Sequence, residues 1–167
     1  GGARGIGFSA AKCLAKVNYN IAICSRTISE LETAASLLEK YGIECYFDAL
    51  DVSSEKDVSR FVDDVFDKFK QIDVLVNNAG IQLNKLFLDI STEQWNVVME
   101  NNLGSVRYFC KSVGKYMVKQ KFGRIINISS VLSKFALPGR SPYSVSKAGI
   151  EALTRVLAAE WAEYNIL

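Results

Sequence analysis

The stretch Gly1-Gly2-Ala3-Arg4-Gly5-Ile6-Gly7, running into Phe8-Ser9-Ala10-Ala11-Lys12-Cys13-Leu14, is a glycine-rich turn that feeds an amphipathic helix. Glycine lets a backbone pass close to a phosphate, and a helix N-terminus offers unpaired N–H groups and a dipole that favours an anion. A flexible helix start has the same composition, so the turn decides little alone. The rest of the chain decides more. Short β-branched runs at 21–25, 44–49, 73–77 and 124–129 alternate with helix-period patterns at about 5–17, 29–41, 54–69, 92–118 and 143–164. The runs are too apolar to keep a solvent face, as expected of parallel strands covered on both sides. Ser29 with Glu32 and Ser91 with Gln94 fit the Ser-x-x-Glu/Gln capping box at two helix starts. Buried strands alternating with helices mean βαβ units and a doubly wound parallel α/β sheet. No repeat, low-complexity tract or linker divides residues 1–167, which read as one domain.

Both ends break the alternation. No strand precedes Gly1, and Asn165-Ile166-Leu167 stops after a helix where another strand is due. The expectation is a piece truncated at both ends, lacking the first strand and the C-terminal strands. Bare parallel-strand edges and apolar helix faces would leave it unstable and inactive alone.

Composition narrows the chemistry. An apolar fraction of 49% fits a globular chain with a real core. The 20 basic and 18 acidic side chains are interspersed, leaving +2 and no basic stripe, so nucleic acid is not an expected partner. No stretch approaches a membrane span and no signal-peptide pattern opens the chain, so a cytoplasmic protein without a membrane partner is expected. Cys13, Cys24, Cys45 and Cys110 match no metal spacing, and histidine is absent. No metal site is expected. The missing histidine also removes a Ser-His-Asp triad, a His general base and the His-containing metalloprotease motifs.

Tyr143-Ser144-Val145-Ser146-Lys147 places a phenol and an ammonium four residues apart, on one helical face and about 6 Å apart along the axis. The face continues through Ile150, Leu153, Leu157 and Trp161. A lysine aligned with such a stripe is costly unless paired or used, although its stem can also snorkel to solvent. Asn102 likewise falls inside the stripe formed by Trp95, Val98, Met99, Leu103, Val106, Phe109, Cys110, Val113 and Met117. A buried amide needs partners.

The spacing Gly1-x-x-x-Gly5-x-Gly7, then Asp51-Val52, Asn77-Asn78-Ala79-Gly80, Asn102, Ser130 and Tyr143-x-x-x-Lys147, all in order, resembles the short-chain dehydrogenase/reductase family. Within it the pattern is similar to 3-oxoacyl-acyl-carrier-protein reductases of fatty acid biosynthesis and to related sugar and ketone dehydrogenases. The resemblance implies a Rossmann-type NAD(P)-binding domain. It implies that Tyr143 exchanges a proton with the substrate oxygen, that Lys147 and the positive nicotinamide favour its phenolate, and that Ser130 donates to the oxygen as charge develops. Asn102 is implied to sit at a helix bend that holds a water linking Lys147 to solvent. Ser129 and Asn101 are the adjacent alternatives. For the cofactor it implies the glycine turn (Gly1, Arg4, Gly5, Ile6, Gly7), Asp51 at the adenine amino group and Val52 against its ring. Asn77 is implied to brace the sheet, Ala79 and Gly80 to border the ribose, and Tyr143 and Lys147 to reach the nicotinamide half.

Where NAD-preferring members carry an acid, this chain reads Cys24-Ser25-Arg26-Thr27. No carboxylate repels a 2′-phosphate, and Arg26, with Arg4, can bind one, so NADP(H) is expected over NAD(H). The expected partner is a small-molecule or carrier-linked carbonyl compound, foremost a 3-oxoacyl thioester bordered by residues 133–140. A sugar or polyol dehydrogenase is the alternative, and a catalytically silent NADP-binding scaffold the alternative of another class. The intact parent is expected to be a homotetramer.

Overall fold

The computed structural model describes residues 1–167. The order is α1 (Gly5–Ala15), β1 (Ile21–Ser25), α2 (Ile28–Glu39), β2 (Cys45–Ala49), α3 (Glu55–Phe69), β3 (Val74–Asn77), α4 (Thr92–Met99), α5 (Ser105–Gln120), β4 (Arg124–Asn127) and α6 (Ser141–Trp161). Local chemistry explains most of the boundaries. Ser91 and Gln94 form the reciprocal capping box at α4, each backbone N–H meeting the other side chain at 3.2 Å. Ser54 caps α3, its Oγ accepting from Asp57 N at 3.3 Å.

Three expectations are corrected. The Ser29/Glu32 box does not form, because α2 starts at Ile28 and Ser29 already lies in its first turn. The entry is set instead by Ser25, whose Oγ accepts from Thr27 N at 3.3 Å. The last helix starts at Ser141, two residues early, since Pro142 arrives with its φ preset for a first turn. The single helix expected over 92–118 is interrupted by a π-helical turn at Glu100–Gly104.

β1 pairs with β2 in parallel, Ile21 opposite Cys45, and β3 pairs with β4 in parallel, Val74 opposite Arg124. Helices cover both faces of the strands. Ile21 and Ile23 meet Ala11 of α1 and Leu31, Ala34 and Leu38 of α2. Ala22 and Cys24 pack toward Val58, Phe61 and Val62 of α3 and Phe109 and Val113 of α5. At about 25 cal/mol per Å² of apolar surface removed from water, these two layers are the main stabilising term. The strands are less buried than their composition suggests: Ile126 of β4 is 50% exposed, so that side of the β3–β4 pair is incompletely covered.

The two strand pairs do not touch. Between them lies a cavity of about 620 Å³, walled by Ile21–Cys24 of β1 on one side and Val74–Asn77 of β3 on the other. Gly1 sits at its mouth. Gly1 N and Gly2 N donate to Cys24 O at 2.7 and 3.2 Å, while Gly1 O accepts from Asn78 Nδ2 at 3.2 Å. Gly1 therefore occupies a sheet position between the ends of β1 and β3. At the far edge, Gly123 bridges Ile166 in parallel, and Ile125 N donates to Leu167 O at 2.8 Å.

The backbone edges of β1 and β3 that face this cavity pair with no strand. Residues 1–167 expressed alone are expected to unfold without a sharp urea transition. An extension of five or six β-branched residues ahead of Gly1 is expected to give a single cooperative transition, each buried side chain contributing about 2 kcal/mol. A cooperative transition of the unextended chain, unaltered by the extension, would refute this.

Candidate active site

Five segments meet at the C-terminal ends of β3 and β4: the glycine turn, residues 78–85, the π-turn, residues 128–140 and the first turns of α6. Asn102, at the π-turn, is fully buried. Its Oδ1 accepts from Ile81 N at 2.8 Å, and its Nδ2 donates to Ile81 O at 2.9 Å and to Ser146 Oγ at 3.0 Å. Ser146 Oγ in turn donates to Tyr143 O at 2.7 Å. Neighbouring Asn101 instead donates to Val97 O on its own helix and faces solvent. Asn102, and not Asn101, is the buried amide of the π-turn.

Lys147 is 4% exposed. Its ammonium donates to Ile128 O at 2.7 Å and lies 5.7 Å from the centre of the Tyr143 ring. No carboxylate pairs with it, and burial pushes its pKa below the ordinary lysine value. The Lys147 ammonium is also close to Gly80, where a Cβ would stand 3.8 Å from Nζ and 3.2 Å from Asn102 Oδ1.

The two serines after β4 differ in what they do with their protons. Ser129 Oγ donates to Glu151 Oε1 at 2.8 Å. Ser130 Oγ accepts from Leu132 N at 3.2 Å and makes no donated bond, so its proton is available to a ligand. This distinguishes Ser130 from Ser129, the adjacent alternative to it.

At the glycine turn, α1 starts at Gly5 with φ of +57°, and a Cβ added there would meet nothing within 4 Å. The αL conformation suits glycine, and the space above it is open. Gly7 is tightly packed, leaving no room for a Cβ against Gly1 O, and a Cβ on Gly1 would stand 3.1 Å from the Ala79 backbone. Exposed Ile6 and the free N–H groups of the first turn of α1 border the open space. The residues present therefore fit an extended phosphate-bearing ligand: close backbone approach, a helix N-terminus and nearby cations. Arg26 is exposed and makes no ion pair. Arg4 pairs with Glu30 at 3.6 Å, both side chains well exposed. Asp51 Oδ1 accepts from Ser53 N and Oγ at 2.9 and 2.8 Å, which holds its carboxyl below the usual range and leaves Oδ2 free. Val52 is half-buried behind it. Asn77 turns into the sheet, donating to Asn127 Oδ1 at 2.8 Å, so only its backbone can face a ligand.

Sequence reasoning passes over three contributors. Ser146 holds Asn102 to α6, and its signal is a small hydroxyl one turn before buried Ile150. Ile128 acts through its carbonyl, which no side-chain pattern betrays. Gln82 Oε1 accepts from Arg140 at 2.9 Å, joining the loop after Gly80 to the loop before Tyr143. Lys85 N donates to Gly139 O at 3.0 Å between the same two loops.

Known proteins match this arrangement. The family model for short chain dehydrogenase matches residues 1–167. The 3-oxoacyl-[acyl-carrier-protein] reductase FabG of Chlamydia trachomatis serovar D is 39% identical over 99% of this chain and 67% of that protein. Among solved structures, NAD+-bound xylitol dehydrogenase superposes with a TM-score of 0.95 at 32% identity, covering 99% of this chain and 64% of that one. A gluconate 5-dehydrogenase from Burkholderia cenocepacia J2315, in complex with NADP and tartrate, does so with a TM-score of 0.93 at 33% identity, covering 99% and 65%. The chain thus spans about two thirds of the length of these relatives. With a glycine turn, a bent Asn102 helix and a Tyr143/Lys147 helix arranged on the same backbone as these enzymes, the chain belongs to the short-chain dehydrogenase/reductase family of oxidoreductases.

Proposed function

We propose that this chain carries the NADP(H)-binding and catalytic part of an enzyme that interconverts a ketone and an alcohol, with a 3-oxoacyl thioester as the favoured substrate. The observation that carries the proposal is the buried Lys147 ammonium, without a counter-carboxylate, held over the Tyr143 ring beside Gly80. A buried charge of this kind is expensive, so it points to use.

The bound dinucleotide supplies or accepts the hydride. The first turn of α1, with Gly1, Gly5, Ile6 and Gly7, would hold its pyrophosphate, and Asp51, Val52, Ala79 and Gly80 its adenosine half. Tyr143 gives a proton to the carbonyl oxygen during reduction and takes one from the alcohol during oxidation. Lys147 places a buried positive charge beside the Tyr143 ring, where burial strengthens its field. Ser130 donates its free proton to the same oxygen as negative charge grows there. Asn102 fixes the bend through which Lys147 would regain protons from solvent by way of a water.

Preference for NADP(H) rests on local charge, since the relatives include both an NAD+ and an NADP complex. Arg26 makes no ion pair, although Asp51 lies near enough to feel its charge, and Arg4 is restrained only by an exposed pair worth at most about 1 kcal/mol. The thioester is favoured by the reductase relative. A sugar or polyol acid is the second substrate reading, favoured by the gluconate 5-dehydrogenase neighbour and by polar Gln82, Asn84 and Arg140 at the cleft. Exposed Val97, Val145 and Val156 on α4 and α6 suit the homotetramer expected of the intact protein. Four free thiols suit the reducing cytoplasm, and no helix is long and apolar enough to cross a membrane.

The test is NADPH consumption by the full-length gene product on a panel of 3-oxoacyl thioesters and sugar ketones. Tyr143→Phe is expected to lower kcat about 1000-fold while NADPH binding changes little. Tight NADPH binding with no turnover on any substrate, indifferent to Tyr143→Phe, would favour a silent scaffold. Arg26→Ala is expected to weaken NADPH binding about 10- to 100-fold with NADH binding unaffected, and equal losses for both would remove the cofactor assignment. Lys147 also sets a pH dependence. Its folded pKa lies below its unfolded value, so the unfolded state binds more protons between the two and stability rises with pH through that window. As pH rises toward the ordinary lysine pKa, the urea midpoint of the full-length wild type should climb relative to that of Lys147→Met, and a flat difference would contradict the burial of a charged Lys147.

A further inference from the structure

Glu151 lies one turn beyond Lys147 on α6, and its carboxylate points back to the loop that carries Ser130. Its Oε1 accepts from Ser129 Oγ at 2.8 Å and from Ser133 Oγ at 2.5 Å, the hydroxyls on either side of Ser130. Ser133 is itself tied to Ser130, its Oγ lying 2.6 Å and its N 3.1 Å from Ser130 O. The single Ser133 proton is thus shared between the Ser130 carbonyl and the carboxylate. Ser129 Oγ also lies 3.4 Å from Lys147 O. One carboxylate oxygen therefore bridges the turn at 129–133 to the helix bearing Tyr143 and Lys147.

We propose that Glu151 is a positioning residue, which clamps Ser129 and Ser133 to α6 and so holds the Ser130 hydroxyl at a fixed place relative to Tyr143. The proposal rests on the reading above, in which Ser130 donates to the substrate oxygen. Three features support it. The bridging oxygen is charged, and charge-assisted O–H···O⁻ bonds are stronger than neutral ones; the Ser133 contact at 2.5 Å is short, and the Ser129 bond at 2.8 Å is of ordinary length. The clamp consumes the Ser129 proton, which leaves Ser130 the one hydroxyl of the adjacent pair free to donate. The carboxylate stays ionised well below neutrality, because the Ser133 and Ser129 hydroxyls hold its pKa below the usual glutamate value, with Lys134 and Arg155 adding to the effect. Oxyanion donors act by being in place before the reaction, so a loop free to rotate would weaken Ser130 without removing it.

A double-mutant cycle in the full-length gene product separates positioning from general stability. Glu151→Ala is expected to lower kcat about tenfold with KM for NADPH unchanged, and to have no further effect in a Ser130→Ala background. Glu151→Gln, which keeps one acceptor oxygen, should recover most of the rate. An equal tenfold loss with and without Ser130 overturns the proposal. Amide hydrogen exchange tests the clamp without turnover: Leu132 N and Ser133 N should exchange at least tenfold faster in Glu151→Ala, and unchanged exchange overturns the clamp. Faster exchange in a protein that turns over no substrate overturns the oxidoreductase reading, and with it the catalytic meaning of the clamp.

Discussion

The amide of Asn102 is the junction on which the site depends. It is fully buried, and an unsatisfied amide there would cost about 1–3 kcal/mol per orphaned group. Both amide hydrogens and one lone pair of Oδ1 are engaged, in two bonds to the backbone of Ile81 and one to Ser146. Ile81 follows the Asn-Asn-Ala-Gly turn, so the amide stands in for the neighbouring strand that this segment lacks and fixes the loop bordering Gly80. Ser146 passes the constraint to the Tyr143 carbonyl, which holds the first turn of α6. The π-turn over Glu100–Gly104 carries Asn102 at this junction, in a helix that continues on either side of it.

With no histidine in the chain, proton chemistry near neutrality needs another source of tuning. In the proposed reaction Lys147 would supply a positive charge beside Tyr143, and its isolation keeps that charge from being cancelled. Its ammonium has one protein hydrogen-bond partner, the neutral carbonyl of Ile128, and the aromatic ring of Tyr143 nearby. A carboxylate in place of the carbonyl would neutralise the field that should act on the phenol. The nearest acid on the same face, Glu151, is turned away into a pair of serine hydroxyls. The arrangement keeps an anion from the ammonium while using that anion to brace the loop.

How far the sequence reveals the site depends on the range of each interaction. Strands at 21–25 and 74–77, and the capping box at Ser91, depend on residues within a few positions and are visible as local patterns. The Ser29 box failed for a local reason too, since Ser25 ordered the preceding turn and let α2 begin earlier. Asn102 stood out as a polar residue inside an apolar stripe, but its partners are Ile81 and Ser146, 21 and 44 residues away, and nothing local names them. Ser146 and Glu151 read as ordinary helix residues because their roles are defined only once α6 packs on the loops after β3 and β4. Ser130 could be preferred to Ser129 by spacing alone, whereas the free proton that distinguishes them is a consequence of Glu151.

The slot between β1 and β3 and the candidate cofactor surface share residues. Gly1, Asn78 and Ala79 line the mouth of the slot, and they also border the space above the first turn of α1. Gly7 is packed against the Gly1 carbonyl, so the position of Gly1 sets the approach of the whole glycine turn. Gly1 is held on one side by Cys24 O and on the other by Asn78 Nδ2, two bonds that span the gap at one end only. A strand filling the gap would extend that pairing along both walls and fix the spacing of β1 and β3. Sheet closure and dinucleotide binding would then stabilise one another, because a ligand that favours the closed arrangement shifts the population toward it by its difference in affinity.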